Sequence, residues 1–246
     1  MKKQSDFMRV IQHALEFYSG RKSLIFLFSI PFFFAFLIPL LLPSPTYLAL
    51  GGVFVRGGSI PSMSIFDWTL TALTYLVAIF LIADSMVNIG LIIKAKRTFT
   101  NVPYEILNAI GKYATKVFLV LIIFTLLLSA LFLVLYENPF QSVLYPLLSF
   151  VISMLFFFSV PAIVIDERDT LNSLRASFRV VMQKPLFVLI WLGIAFVFIL
   201  LSGIIAYVFP RFLTQYVMML LNSIVILPFL LVLSTQMYME KYPLAN

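Results

Sequence analysis

The chain has no cysteine and a single histidine, His13. Disulfides, thiolate metal sites, cysteine nucleophiles and multi-histidine metal centres are therefore excluded. Charge is scarce too: 11% of the 246 residues are charged and 62% are apolar, whereas soluble domains carry about 25% charged residues. Acids are the scarcest class, 10 against 17 bases, for a net charge of +7. The bases sit beside apolar runs. That placement points to the positive-inside pattern and anionic headgroups, and away from nucleic acid. The chain also lacks nucleophile–base sets, paired carboxylates and metal-ligand spacings. Neither an enzyme nor a cofactor-binding protein is expected.

What fills the chain instead is apolar runs long enough to cross a bilayer, which needs about 20 residues each. Six are expected, over about 23–42, 68–93, 114–136, 142–165, 185–209 and 215–239. Runs of this length predict helices and not the roughly ten-residue alternating strands of membrane barrels. Fifteen of the 17 Lys and Arg fall on one side of these runs, and only Arg56 and Arg211 on the other. This asymmetry predicts a multi-pass cell-membrane protein with both termini cytoplasmic. Trp68, Tyr136, Tyr145, Tyr207 and Tyr216 at outer ends, and Tyr18, Tyr113 and Tyr238 at inner ones, agree with that frame. The first run is preceded by some 22 residues and followed by no small-residue cleavage site, so it reads as an uncleaved anchor.

The cytoplasmic segments share a pattern. Ile11, Ala14, Leu15 and Tyr18 stand at i, i+3, i+4 and i+7, as do Ile106, Ala109, Ile110 and Tyr113, and Leu174, Ser177, Phe178 and Val181. A base follows each set three residues later: Arg21, Lys116 and Lys184. This spacing predicts amphipathic helices over about 5–19, 102–113 and 169–183, lying flat at the headgroups with the basic residues toward phosphate. Thr100 or Asn101 with Pro103 would start the second, and Asp169 and Thr170 would cap the third. The chain is then a single all-α membrane domain, 1–246, built of three helix-plus-hairpin units that read equally as repeats or as convergence. Arg21, Lys22, Lys112, Lys116, Arg175, Arg179 and Lys184 are the candidate headgroup residues. His13 belongs to the polar side of the first helix. The outer segment 43–67, with paired glycines and three prolines, reads as turns and not as a phosphate loop.

Asp84 is the one ionisable residue well inside a run, about ten residues, or ~15 Å of helix, from Lys94. Asn88 lies one turn further on the same face, with Ser85 and Thr74 in the same helix. No base occurs deep in any run to pair with Asp84. The stripe reads either as a substrate or ion pathway or as an interhelical hydrogen bond. Asn222, Ser223, Thr235 and Gln236 in the last run are candidate partners, Asn222 and Gln236 in the pathway reading. Pro31, Pro39, Pro161 and Pro228 mark candidate kinks. Asp166, Glu167 and Asp169 form the one acidic cluster. They precede a helix start, where the dipole favours negative charge.

The stretch VPAIVIDERDTLNSLRASFRVVMQKPLFVLIW, residues 160–191, resembles a segment of a broad group of prokaryotic six-helix membrane proteins. That group includes the membrane domain attached to some glycerophosphodiester phosphodiesterases. The shared elements are Pro161, Asp166 or Glu167, Leu174, Ser177 and Lys184. The resemblance implies a six-helix fold and association with membranes or lipids. It implies no catalytic residues, since this chain has no phosphodiesterase domain. Two functions are expected to compete. One is a non-enzymatic accessory or scaffold protein contacting anionic lipids and a membrane-protein partner. The other is a small transporter using Asp84.

Overall fold

The computed structural model describes residues 4–40, 64–98, 110–136 and 138–240. Among the described residues there is no strand, and six helical stretches are long and apolar enough to cross a bilayer: Lys22–Pro39, Ile65–Ala95, Gly111–Val134, Gln141–Val164, Pro185–Tyr207 and Leu213–Met239. They match the six expected runs. They also explain why most of the described residues are helical, since a backbone in hydrocarbon must satisfy its own polar groups. Two further helices, Gln4–Gly20 and Thr170–Gln183, lead into the first and fifth spans.

Local chemistry sets the boundaries. The second span begins on a capping box: Asp67 N–H donates to Ser64 Oγ at 3.2 Å, and Ser64 N–H and Oγ–H donate to the Asp67 carboxylate at 3.1 and 2.7 Å. Its helix then runs 34 residues, Ile65–Thr98, about 51 Å and longer than a bilayer core requires. The fourth span is broken into Gln141–Phe156 and Ser159–Val164. Pro161 lacks the N–H that would bond the Phe157 carbonyl and crowds it. The break is then sealed by serines: Ser159 Oγ donates to the Phe156 carbonyl at 2.6 Å, and Phe158 N–H donates to Ser177 Oγ at 2.8 Å. The sixth span carries a π turn, Asn222–Ile226, immediately before Leu227–Met239. Pro228 is the cause, since it removes the donor for a carbonyl one turn earlier. The hydroxyl of Tyr18 donates to the Val225 carbonyl in that turn at 3.5 Å.

Ser177 thus closes a buried gap in another helix. Ser177→Ala is expected to cost about 1–3 kcal/mol, because it strands the N–H of fully buried Phe158. Ser173→Ala should cost much less, since Ser173 Oγ donates only to Thr170 of its own helix. Thermal unfolding in detergent or nanodiscs checks both, and equal losses would refute the seal.

The second, fourth and sixth spans form the centre and the odd-numbered ones flank them. The second is the most buried and the third and fifth the least. Gly90 permits the central approach: a Cβ there would lie 3.2 Å from Val164 Cγ1. Phe158 meets Tyr238 with ring centroids 5.9 Å apart. Trp191 of the fifth span stacks edge-on against Phe157 at 4.8 Å, and its indole N–H donates to the Leu230 carbonyl at 2.9 Å.

The two leading helices bury faces different from those expected. Gln4–Gly20 packs on the sixth span through Val10, Ala14 and Phe17, while Leu15 is 51% exposed. Tyr18 stacks on Phe229 at 5.7 Å. Thr170–Gln183 packs on both halves of the fourth span through Ser173, Ala176, Ser177, Val180 and Val181, while Phe178 is 49% exposed. Each helix has one apolar face on protein and another turned outward, and spacing alone merged the two. Of the expected helix 102–113, residues 102–109 lie outside the described residues, as does its expected start at Thr100 or Asn101. The remainder belongs to a π turn, Ile110–Ala114, that runs into the third span. The segment 43–63 also lies outside them.

Candidate functional site

Asp84, Ser85 and Asn88 lie in the helix of the second span, Ile65–Thr98. That helix is buried from Ala78 toward Ala95 against the first, third, fourth and sixth spans. On one face, Leu73, Val77 and Phe80 are exposed, Asp84 is half-buried, and Asn88, Leu91 and Ala95 are buried. Asp84 therefore marks the level where this face passes from open to closed. The Asn88 side chain, one turn on, interacts with the Asp84 carboxyl. Asn88 Oδ1 and Ser85 Oγ are buried and have no hydrogen-bond partner among the described residues. Buried oxygens of this kind are rare in native structures and call for an occupant or a role. Thr74 is satisfied within its own helix, donating to the Leu70 carbonyl at 2.7 Å. Thr235 and Ser234 likewise bond the Leu231 carbonyl at 2.8 and 3.0 Å.

Asn222 is not brought to this stripe. It lies in the π turn, which packs on the first and fifth spans and on its own helix. Gln236 is half-buried in the part of the sixth span that packs on the second.

A second constellation, not expected as such, joins the spans at the end rich in bases. Glu167 accepts from Lys94 Nζ at 2.9 Å and Lys112 Nζ at 2.6 Å, linking the second, third and fourth spans. Lys94 Nζ also donates to the Tyr113 hydroxyl at 3.4 Å, and both ammonium groups lie over the Tyr113 ring. Lys112, then Lys94 and Tyr113, hold the Glu167 carboxyl down at about 2. Lys116 Nζ pairs with Asp169 at 2.6 Å and lowers that carboxyl as well. Asp166, with its side chain 7% exposed, accepts from Arg168 Nε at 3.1 Å and from the Tyr238 hydroxyl at 2.7 Å. Lys184 pairs with Glu240 at 3.2 Å.

This changes the reading of the acidic cluster. Asp169 stands at the start of Thr170–Gln183 with an extended backbone but makes no side-chain cap bond; its carboxylate goes to Lys116. Glu167 sits at φ 56°, a left-handed turn that aims its side chain across the spans. The three acids face different partners, and among the described residues no acids or histidines converge on a metal. The signal available in the sequence was three acids in four residues, with bases ending each neighbouring span.

The same pairs sort the headgroup candidates. Lys112, Lys116 and Lys184 are engaged by acids. Lys22, Arg175 and Arg179 are exposed, Arg21 is half-exposed, and none has an ion-pair partner among the described residues. No family model, curated protein or solved structure matches this chain.

Proposed function

We propose that this chain is a non-enzymatic, multi-pass membrane protein, an accessory or scaffold subunit whose basic, cytoplasmic end holds anionic lipid. The observation that carries the reading is the outward face of Thr170–Gln183. Leu171, Phe178 and Met182 are 67%, 49% and 66% exposed on the side opposite the buried face. Arg175 and Arg179 flank them without acidic partners among the described residues. A helix that is fixed to the bundle on one side and presents apolar groups bordered by arginines on the other suits the headgroup boundary.

Gln4–Gly20 supports the same reading and the repeat with it. Val10, Ala14 and Phe17 are buried as Ser173, Ser177 and Val180 are, and Met8 and Leu15 face outward as Leu171 and Phe178 do. The two helices thus match in burial as well as in spacing, at a constant offset in the chain. The resemblance of residues 160–191 to lipid-associated six-helix proteins points the same way.

Neutralising two bases near an anionic surface removes about 1 kcal/mol each, so Arg175→Gln with Arg179→Gln should weaken anionic-lipid retention about 30-fold. Mass spectrometry of lipids retained on protein extracted without detergent, at rising salt, measures this. Unchanged, salt-insensitive retention would sink the lipid role. The same extraction tests the subunit role, which requires a stoichiometric partner protein.

A second reading, a small transporter using Asp84, is favoured by one observation: among the described residues, Ser85 Oγ and Asn88 Oδ1, in the same stretch of helix as that carboxylate, have no hydrogen-bond partner.

A further inference from the structure

We propose that Lys94, Lys112 and the Tyr113 hydroxyl form a binding site for one phosphomonoester dianion, and that the Glu167 side chain is its built-in, displaceable occupant. The site is separate from the face that bears Arg175 and Arg179, and the proposal goes beyond the lipid reading without resting on it.

The donor groups converge on one point. Lys94 Nζ donates to one Glu167 oxygen at 2.9 Å and Lys112 Nζ to the other at 2.6 Å. The two ammonium groups come from different spans and straddle a single anion. Tyr113 is the floor beneath them. It is 5% exposed, in one buried cluster with Val87, Leu91 and Val117, and its ring centroid lies 5.2 Å from Lys94 Nζ and 5.1 Å from Lys112 Nζ. Its hydroxyl accepts from Lys94 Nζ at 3.4 Å and also interacts with the Glu167 carboxyl. The phenolic proton is thus available to an anion held between the lysines. Asp169 and Glu240, by contrast, each pair with a single lysine.

The charges at this point do not balance. Two ammonium groups meet one carboxylate, and the Lys94 side chain, 17% exposed, is held in place. A terminal phosphate carries about −1.5 to −2 at pH 7 and offers three acceptor oxygens. It matches both positive charges and all three donors, and lysine ammonium groups are common phosphate ligands. A phosphodiester has one negative charge and two such oxygens, which is no better a match than Glu167 itself.

The occupant can leave, and the entrance is open. Glu167 is 47% exposed and Lys112 55%, so an anion arrives without opening the core. Glu167 lies in the short link between Ser159–Val164 and Thr170–Gln183. Its neighbours fix that link: Asp166 through Arg168 and the Tyr238 hydroxyl, and Asp169 through Lys116. The Glu167 side chain therefore swings out by its own rotamer changes while the link and the spans stay where they are. Water screens the exposed pairs it makes, so an anion of higher charge displaces it. Lys94 and Lys112 stand at the base-rich ends of their spans, the level of headgroup phosphates. The terminal phosphate of a lipid such as phosphatidic acid and inorganic phosphate both present the required chemistry.

The test uses the full chain in nanodiscs of neutral phosphatidylcholine. Its unfolding temperature is followed as short-chain phosphatidic acid is added, against phosphatidylglycerol at equal total charge, and separately as inorganic phosphate replaces chloride at constant ionic strength. A saturable rise of several degrees is expected, with a midpoint about tenfold lower for phosphatidic acid than for the diester, the worth of one hydrogen bond to a charged group. This comparison needs no variant. A rise with phosphatidic acid alone assigns a lipid headgroup; a rise with inorganic phosphate assigns the phosphate group itself. Two variants then separate a site from a structural ion pair, because they break the same contact. Lys112→Gln removes a donor and should weaken binding about tenfold. Glu167→Gln removes the competing charge and should tighten binding about fivefold, the worth of the exposed pairs that the ligand must otherwise break. A purely structural pair would move both in the same direction or neither. Equal midpoints for phosphatidic acid and phosphatidylglycerol overturn the proposal. So does the absence of a saturable response to both phosphatidic acid and inorganic phosphate, and so does weaker binding in Glu167→Gln.

Discussion

Tyr238→Ala is expected to produce the largest loss of stability of any single substitution at the basic end, about 3–5 kcal/mol. Tyr238 is among the largest side chains with no exposed surface. Its ring packs on Phe158 beside the break in the fourth span. Its hydroxyl donates to Asp166 at 2.7 Å, so truncation opens a ring-sized cavity and also removes a donor from a carboxylate that is nearly buried. The two contributions separate. Tyr238→Phe keeps the ring and should cost only about 1.5–3 kcal/mol, the worth of a hydrogen bond to a charged group. Chemical or thermal unfolding in detergent micelles, compared across the three proteins, reads both. If Tyr238→Phe proved as damaging as Tyr238→Ala, the packing argument would fail. If neither moved stability, the junction of the fourth and sixth spans would not be a core.

The contrast between what was legible and what was not follows from the physics of each element. The six spans and the composition of their ends could be read because bilayer thickness fixes a minimum apolar length, and no tertiary contact is needed to see it. Pro161 and Pro228 were readable as distortions for a similar reason: a missing N–H acts within one turn. What fills the gap was not readable. Ser177 lies 19 residues from Phe158, and Tyr18 lies 207 residues from Val225. These partners exist only once helices are packed. The faces of the two leading helices were misplaced by about one residue because a helix wedged between protein and its surroundings has two apolar faces. A periodicity argument assigns one.

The candidate site divides in the same way. Asp84 with Asn88 was visible as a polar stripe, since i and i+4 must share a face. That Asn88 Oδ1 and Ser85 Oγ find no hydrogen-bond partner among the described residues required the structure, because Asn222, Ser223, Thr235 and Gln236 were all eligible by depth. The ion pairs at the basic end were the larger omission. Asp166, Glu167 and Asp169 were read against their own helix, where a dipole interaction is always on offer. In the structure each carboxylate serves a different base or hydroxyl contributed by neighbouring spans, and Glu167 takes a left-handed backbone to do so.

That left-handed turn leads to the last prediction. Glu167 bonds Lys94 and Lys112 at once, and its carboxyl is held at about 2, against an ordinary value of 4.5. A lowered folded-state value means that the folded protein binds fewer protons there than the unfolded chain. The stabilisation is therefore complete above about pH 4.5 and is lost as pH falls from there toward 2. Glu167 is 47% exposed, so water screens the pairs, and the full linkage value does not apply. Glu167→Gln is expected to cost about 1 kcal/mol at pH 7 and nothing further as pH falls toward 2, since the amide cannot titrate. Its stability curve should converge with that of the unmodified protein at low pH. Glu167→Gly separates the charge from the backbone: it loses the same pairs but relieves a left-handed conformation that costs a non-glycine residue roughly 1 kcal/mol. At neutral pH it should lie close to the unmodified protein and above Glu167→Gln. Unfolding at a series of pH values from 3 to 7 tests this order. Parallel curves for Glu167→Gln and the unmodified protein would show that the two lysine contacts contribute no stability. Glycine ranking below glutamine would show that the turn itself carries no strain.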